Sequence, residues 1–166
     1  MGMPGAGKTT IGRQLARRAG LPFVDVDQEI ERRTGVKIPL IFEYEGESGF
    51  RDREAAVLLE LASGESAVIA TGGGAVLRAD NRACMRRHGT VVYLNVAPDI
   101  LFERTRHDRN RPLLQVADPL GKLQALFADR DPFYRDVADI IVTGGSGNAM
   151  TLVKRIEREL EQRCAA

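Results

Sequence analysis

Nine residues at the head of the sequence, Met1-Gly2-Met3-Pro4-Gly5-Ala6-Gly7-Lys8-Thr9, have the types and spacing needed to hold phosphate. Gly2 and Gly7-Lys8-Thr9 carry the G-x-x-x-x-G-K-[ST] pattern. Gly2, Gly5 and Gly7 let backbone N–H groups come up against phosphate oxygens. Lys8 can reach β- and γ-phosphates, and Thr9 offers a hydroxyl to Mg²⁺. Gly5 through Thr10, Ala6 included, are the expected nucleotide cradle. The segment that follows has Ile11, Leu15, Ala16 and Ala19 on one helical face. Its N-terminal N–H groups and dipole would aim at the anion.

Three further groups could do chemistry. Asp25-x-Asp27 closes an apolar run, and strand alternation would point both carboxylates to one side. One could hold Mg²⁺ through water and the other could take a proton from a hydroxyl. Equally, Asp27 could simply cap the next helix. Gly72-Gly73-Gly74 offers unobstructed backbone to an anion or a hydroxyl-rich ligand, beyond what a turn requires. The Arg-rich stretch from Arg104 to Leu114 reads as a lid spanning about 106–116. A lid arginine brings charge to a moving phosphoryl group while water is excluded. Taken singly, Arg51 and Arg135 look like ordinary solvated arginines, and His88 and His107 have no partner spacing that assigns them a role.

Short apolar runs must position these groups, and they alternate with helical stretches. Strands are expected at Phe23–Asp27, Ala67–Ala70, Val91–Leu94 and Ile140–Val142. Helices are expected through Gln28–Arg33, near Pro39, and over Phe50–Leu61. Others should start at an Asp80 cap, run from Pro98 to about Arg106, cover Pro119–Arg135, and close the chain from Thr151 to Arg163. Strands spaced by helices mean a parallel sheet in a three-layer αβα domain, with ligands beyond the strands' carboxyl ends. A phosphate loop normally follows a buried central strand. Nothing before Met1 supplies one here, so an apolar segment upstream of it is expected.

At 166 residues, 43 % hydrophobic and 28 % charged, the chain is one ordinary globular domain. Net charge is +1, which gives no global attraction to nucleic acid or to anionic membrane. Only Lys8, Lys37, Lys122 and Lys154 are lysine, so 24 − 4 = 20 basic residues are arginine. That suits an enzyme handling anions, and it equally suits a GC-rich genome. Cys84 and Cys164 have no metal-like spacing, and a reducing cytoplasmic setting is expected.

Together the motifs resemble the shikimate kinase family of the P-loop kinase fold. They are the Gly2–Thr9 loop, Asp25-Val26-Asp27, Ile41-Phe42 with Gly46-Glu47, Phe50-Arg51-x-x-Glu54, Gly72-Gly73-Gly74-Ala75-Val76, Arg111-Pro112-Leu113-Leu114 and Tyr134-Arg135. The resemblance runs nearly the whole chain. It implies transfer of the γ-phosphoryl of ATP to the 3-hydroxyl of shikimate with Mg²⁺, by a cytoplasmic monomer with no nucleic-acid or membrane partner. It implies that Lys8, Asp27 and Arg111 are catalytic, and that Arg104 and Arg111 join the loop at ATP. Thr9 would bind Mg²⁺, with Asp25 acting through water. Asp27, Arg51, Gly72, Gly73, Gly74 and Arg135 would bind shikimate, the two arginines gripping its carboxylate. The loop Thr143–Asn148 is nearly all small residues where the family often carries Arg and Pro, so adenine contacts there would be mostly backbone. The readings it competes with are a kinase of another hydroxy acid such as gluconate, and a ligand sensor without catalysis.

Overall fold

The computed structural model describes residues 1–107, 114–145 and 147–164. Arg111 and most of the expected lid lie outside these residues. The helices are α1 (Lys8–Ala19), α2 (Val26–Thr34), α3 (Ile38–Ser63), α4 (Ala79–His88), α5 (Pro98–Thr105), α6 (Pro119–Val137) and α7 (Ala149–Cys164). The strands are β1 (Phe23–Asp25), β2 (Val68–Ala70), β3 (Val92–Val96) and β4 (Ile140–Gly144).

Local chemistry sets several boundaries. Gly7 takes the left-handed conformation at φ 90° that turns the loop into α1. The expected strand through Asp27 stops at Asp25, because the Asp25 carboxylate accepts from the Asp27 and Gln28 N–H groups at 3.1 and 3.4 Å. Those bonds start α2 at Val26, so Asp27 lies in a helix and does not alternate with Asp25 on a strand. Helix α4 begins after Arg78, and Asp80 is in its first turn, where its charge suits the dipole without capping. The helix expected over Phe50–Leu61 is the second half of α3, whose halves meet at a non-helical Gly46, φ 70°. Proline opens α5 as expected, with Pro98 following Ala97.

β1 pairs parallel with β2, Val24 opposite Ile69, and β3 pairs parallel with β4, Leu94 opposite Val142. Met1 lies along the inner edge of β3: its nitrogen donates to Val92 O (2.7 Å) and its carbonyl accepts from Leu94 N (2.9 Å). Among the described residues no strand joins β2 to β3, and the sheet is two pairs. Between them is a cavity of about 720 Å³. Helices α1 and α7 pack together along one wall of it, and α3 and α4 along another. The layers are sealed by fully buried residues such as Leu58, Leu101, Leu123 and Ile156, each worth about 1.5–3 kcal/mol. Tyr93 and Tyr134 stack at the β3–α6 contact, centroids 4.7 Å apart.

Candidate active site

The phosphate loop wraps a cleft of about 450 Å³ lined by Gly5, Gly7, Lys8, Thr9, Thr10, Asp25, Asp27 and Arg104. No side chain caps the start of α1, and its first turn has no acidic residue. Its leading N–H groups therefore face the cleft as anion donors. Ala6 is buried beneath the loop. The Lys8 ammonium donates to the Gly2 and Met3 carbonyls at 2.9 and 3.0 Å, which curls the loop around it. Thr9 donates from its hydroxyl to Asp25 Oδ2 at 2.8 Å. Arg104 donates to Gly5 O (3.4 Å) and Gly145 O (2.6 Å), bridging the loop to the segment after β4.

Next to the cleft, and meeting it at Asp27 and Pro4, is a cluster assembled from α3, the glycine run and α6. Arg51 Nη1 donates to Glu54 Oε2 at 2.7 Å, and Arg51 Nη2 to Glu47 Oε1 at 3.2 Å. Glu54 is 0 % exposed. Burial pushes its carboxyl up, against the pull of Arg51 and Arg130. A side chain on Gly72 would run into Glu54 and Asp27, and one on Gly74 into the Arg51 guanidinium. A Gly73 Cβ would sit 3.0 Å from Pro4 Cδ of the phosphate loop. The three glycines are thus needed for close approach of charged groups and loop. The Tyr134 hydroxyl donates to Gly73 O, tying α6 to the same strip.

Asp27 is half-buried between the two sides. Burial, with Glu54 and Asp25 nearby, lifts its carboxyl to about 6, while Lys8 and Arg51 oppose the rise. Its Oδ1 is buried without a hydrogen-bond partner.

The structure does not bring Arg135 into this cluster. Its side chain is 48 % exposed and donates to Asp131 at 2.7 Å. Arg130, which sequence reasoning passed over, is 3 % exposed, and its charge acts on both Glu54 and Tyr134. Leu123, Arg130, Tyr134 and Val137 are the buried residues of α6, spaced as one helical stripe. An arginine on an apolar stripe was the available signal. The Nε atoms of Arg51 and Arg130 are both buried without partners.

The shikimate kinase family model matches residues 4–161. The chain belongs to the shikimate kinase family. A shikimate kinase of Aromatoleum aromaticum is 56 % identical over 161 residues, 97 % of this chain and 92 % of its own length. The solved shikimate kinase of Acinetobacter baumannii in complex with shikimate is 49 % identical, TM-score 0.95, over 98 % of this chain and 90 % of that one. A gluconokinase of Sinorhizobium meliloti, at 19 % identity and TM-score 0.59, shares the fold alone. No described helix is long and apolar enough to cross a membrane.

Proposed function

We propose that this chain transfers the γ-phosphoryl group of ATP to the 3-hydroxyl of shikimate, with Arg51 and Arg130 gripping the acceptor's carboxylate. The observation that carries the reading is the pair of buried arginine Nε atoms without partners. Buried donors normally have acceptors. Glu54 and Glu47 engage the Arg51 Nη atoms and leave both Nε donors without acceptors, which a substrate carboxylate would supply. Glu54 holds Arg51 in place from behind.

Asp27 lies between this grip and the phosphate loop. It orients the acceptor hydroxyl and takes its proton, a task suited to a carboxylate with a pKa near 6. Lys8 and the α1 N-terminus steady the charge of the phosphates. Arg111 would join them from the lid, and Arg104 would border adenine. Thr9 and Asp25 are hard oxygen donors on one edge of the cleft, and two are too few for a protein cage. That suits a Mg²⁺ ion that keeps waters and substrate phosphates. Mg²⁺ would neutralise charge on the bridging phosphate oxygens. We take the enzyme to be a monomer and place it in the cytoplasm.

A coupled ADP-release assay with shikimate, gluconate and a nucleoside monophosphate tests the reading. Turnover is expected with shikimate and at least about a hundred-fold lower kcat/KM with the others, because a nucleoside monophosphate offers the arginines no carboxylate and the flexible chain of gluconate does not hold a hydroxyl at Asp27 while its carboxylate is gripped. Comparable rates with gluconate would sink it.

A further inference from the structure

Helix α6 carries the buried Arg130 on a turn that its own backbone holds poorly. Pro132 lies inside the helix. It has no N–H to offer the Ala128 carbonyl, and its ring crowds that turn. Two tyrosines brace the helix on either side of this weak point. The Tyr134 hydroxyl donates to Gly73 O. The Tyr93 hydroxyl reaches across from β3 and donates to Asp131 Oδ1 at 2.8 Å, with Asn95 Oδ1 farther off at 3.4 Å. Asp131 Oδ2 accepts from Arg135 Nε at 2.7 Å. Tyr93 and Tyr134 are both fully buried, and their rings stack. Tyr93 does not line the phosphate cleft, so any influence it has on the acceptor site passes through α6.

Asp131 directly follows Arg130, and neighbours on a helix point about 100° apart. Fixing the Asp131 side chain against β3 therefore fixes the direction in which Arg130 leaves the helix. Arg51 is steadied by Glu54 and Glu47 on its own helix. Arg130 has no equivalent carboxylate bond among the described residues, and its Nε is buried without a partner. Its aim depends on the attitude of α6. We propose that Tyr93 is a positioning residue for acceptor binding: through Asp131 it holds the turn weakened by Pro132, so that Arg130 presents its free Nε to the substrate carboxylate. The inference rests on the reading that Arg130 grips that carboxylate. The role needs the hydroxyl as well as the ring. A phenol donating to a carboxylate makes a charge-assisted, directional bond, whereas the stack alone leaves Asp131 free to turn towards Arg135 and solvent.

Steady-state kinetics on a small set of variants tests this. Tyr93→Phe keeps the stacked ring and removes the hydroxyl. Its KM for shikimate should rise about three- to ten-fold, with kcat and KM for ATP within about two-fold of the parent. Asp131→Ala should do the same, and the double variant should lose no more, because both changes break one contact. Asp131→Asn keeps an acceptor for the Tyr93 hydroxyl and should bring KM back to within about two-fold of the parent. In an Arg130→Ala background, Tyr93→Phe should leave the shikimate KM unchanged. A normal KM in Tyr93→Phe, where Arg130→Ala raises it, overturns the positioning role alone. So does a further rise when Tyr93→Phe is added to Arg130→Ala, since Tyr93 would then act by another route. A Tyr93→Phe chain that loses kcat and both KM values together, with a lower Tm, marks a general structural role and also overturns it. An unchanged KM in Arg130→Ala overturns the grip reading and the positioning role with it. Should Tyr93→Phe fold poorly, Asp131→Ala at the half-buried end of the contact carries the same comparison.

Discussion

The two sides of the cleft are built on different plans. The phosphate side is one loop and the helix it opens, Gly2 through Thr10, and much of its binding capacity is backbone: N–H groups at the uncapped start of α1. The proposed acceptor side draws Asp27 from α2, Arg51 and Glu54 from α3, the glycine strip after β2, and Arg130 and Tyr134 from α6. A backbone site needs a few residues of the right shape in sequence. A side-chain site needs several helices in the right phase, with each charge held by another. Substitutions should therefore strike the two sides differently: a loss of chemistry on the phosphate side, a loss of acceptor affinity on the other.

The largest effect is expected at Lys8. Lys8→Ala should lower kcat about a hundred- to a thousand-fold, while thermal melting of the chain stays close to that of the parent. Near-normal turnover would remove the phosphate loop from the mechanism.

The acceptor side is sharpened by three arginines measured together. Arg51→Ala and Arg130→Ala each lose charge-assisted bonds worth about 1.5–3 kcal/mol. Each should raise KM for shikimate by about ten- to a hundred-fold and leave KM for ATP nearly unchanged. Arg135→Ala should stay within about two-fold, as expected of an exposed pair with Asp131. The opposite ranking of Arg130 and Arg135 in steady-state kinetics would show that burial on the α6 stripe does not mark the substrate grip.

Asp27 joins the two sides, and the test that isolates it is a pH profile. Its carboxylate must be ionised to accept a proton, so kcat/KM should fall about ten-fold per pH unit below about 6. A profile flat to pH 5 would exclude it as the base. The same raised pKa bears on stability with a definite sign. A carboxyl whose folded pKa exceeds its unfolded value of 3.8 stabilises the fold below that value. The contribution is lost as pH rises through about 6. Asp27→Asn should thus abolish most activity yet melt about 2–6 °C higher at pH 7.5, from about 1–2 kcal/mol of relieved burial. Lower melting at that pH would mean the carboxylate is stabilised where it sits.

How legible each side was follows from the same contrast. The phosphate loop and α1 could be read directly, because their geometry is local. The βαβ order was visible too, though β1 ended two residues early once Asp25 spent its carboxylate on the α2 amides. Asp27 was recognisable as a chemical group, but its position depended on that cap. Arg130 and Arg135 look alike in sequence, and only the phase of α6 against β3 and the glycine strip separates them. Glu54 stood in a recognisable motif, but its burial and its hold on Arg51 are tertiary facts. Arg111 lies outside the described residues.

The buried stripe of α6 also governs which changes in length the chain can tolerate over evolution. One residue inserted within the helix, between Leu123 and Arg130, would rotate everything after it by about 100° relative to what precedes it. A different side chain would then face Glu54, and the Tyr134 hydroxyl would swing away from Gly73. Residues added or lost before Pro119 carry no such penalty, since a connecting loop can absorb them without turning the helix. Insertions and deletions among descendants of this chain should accordingly collect ahead of α6 and be purged from within it.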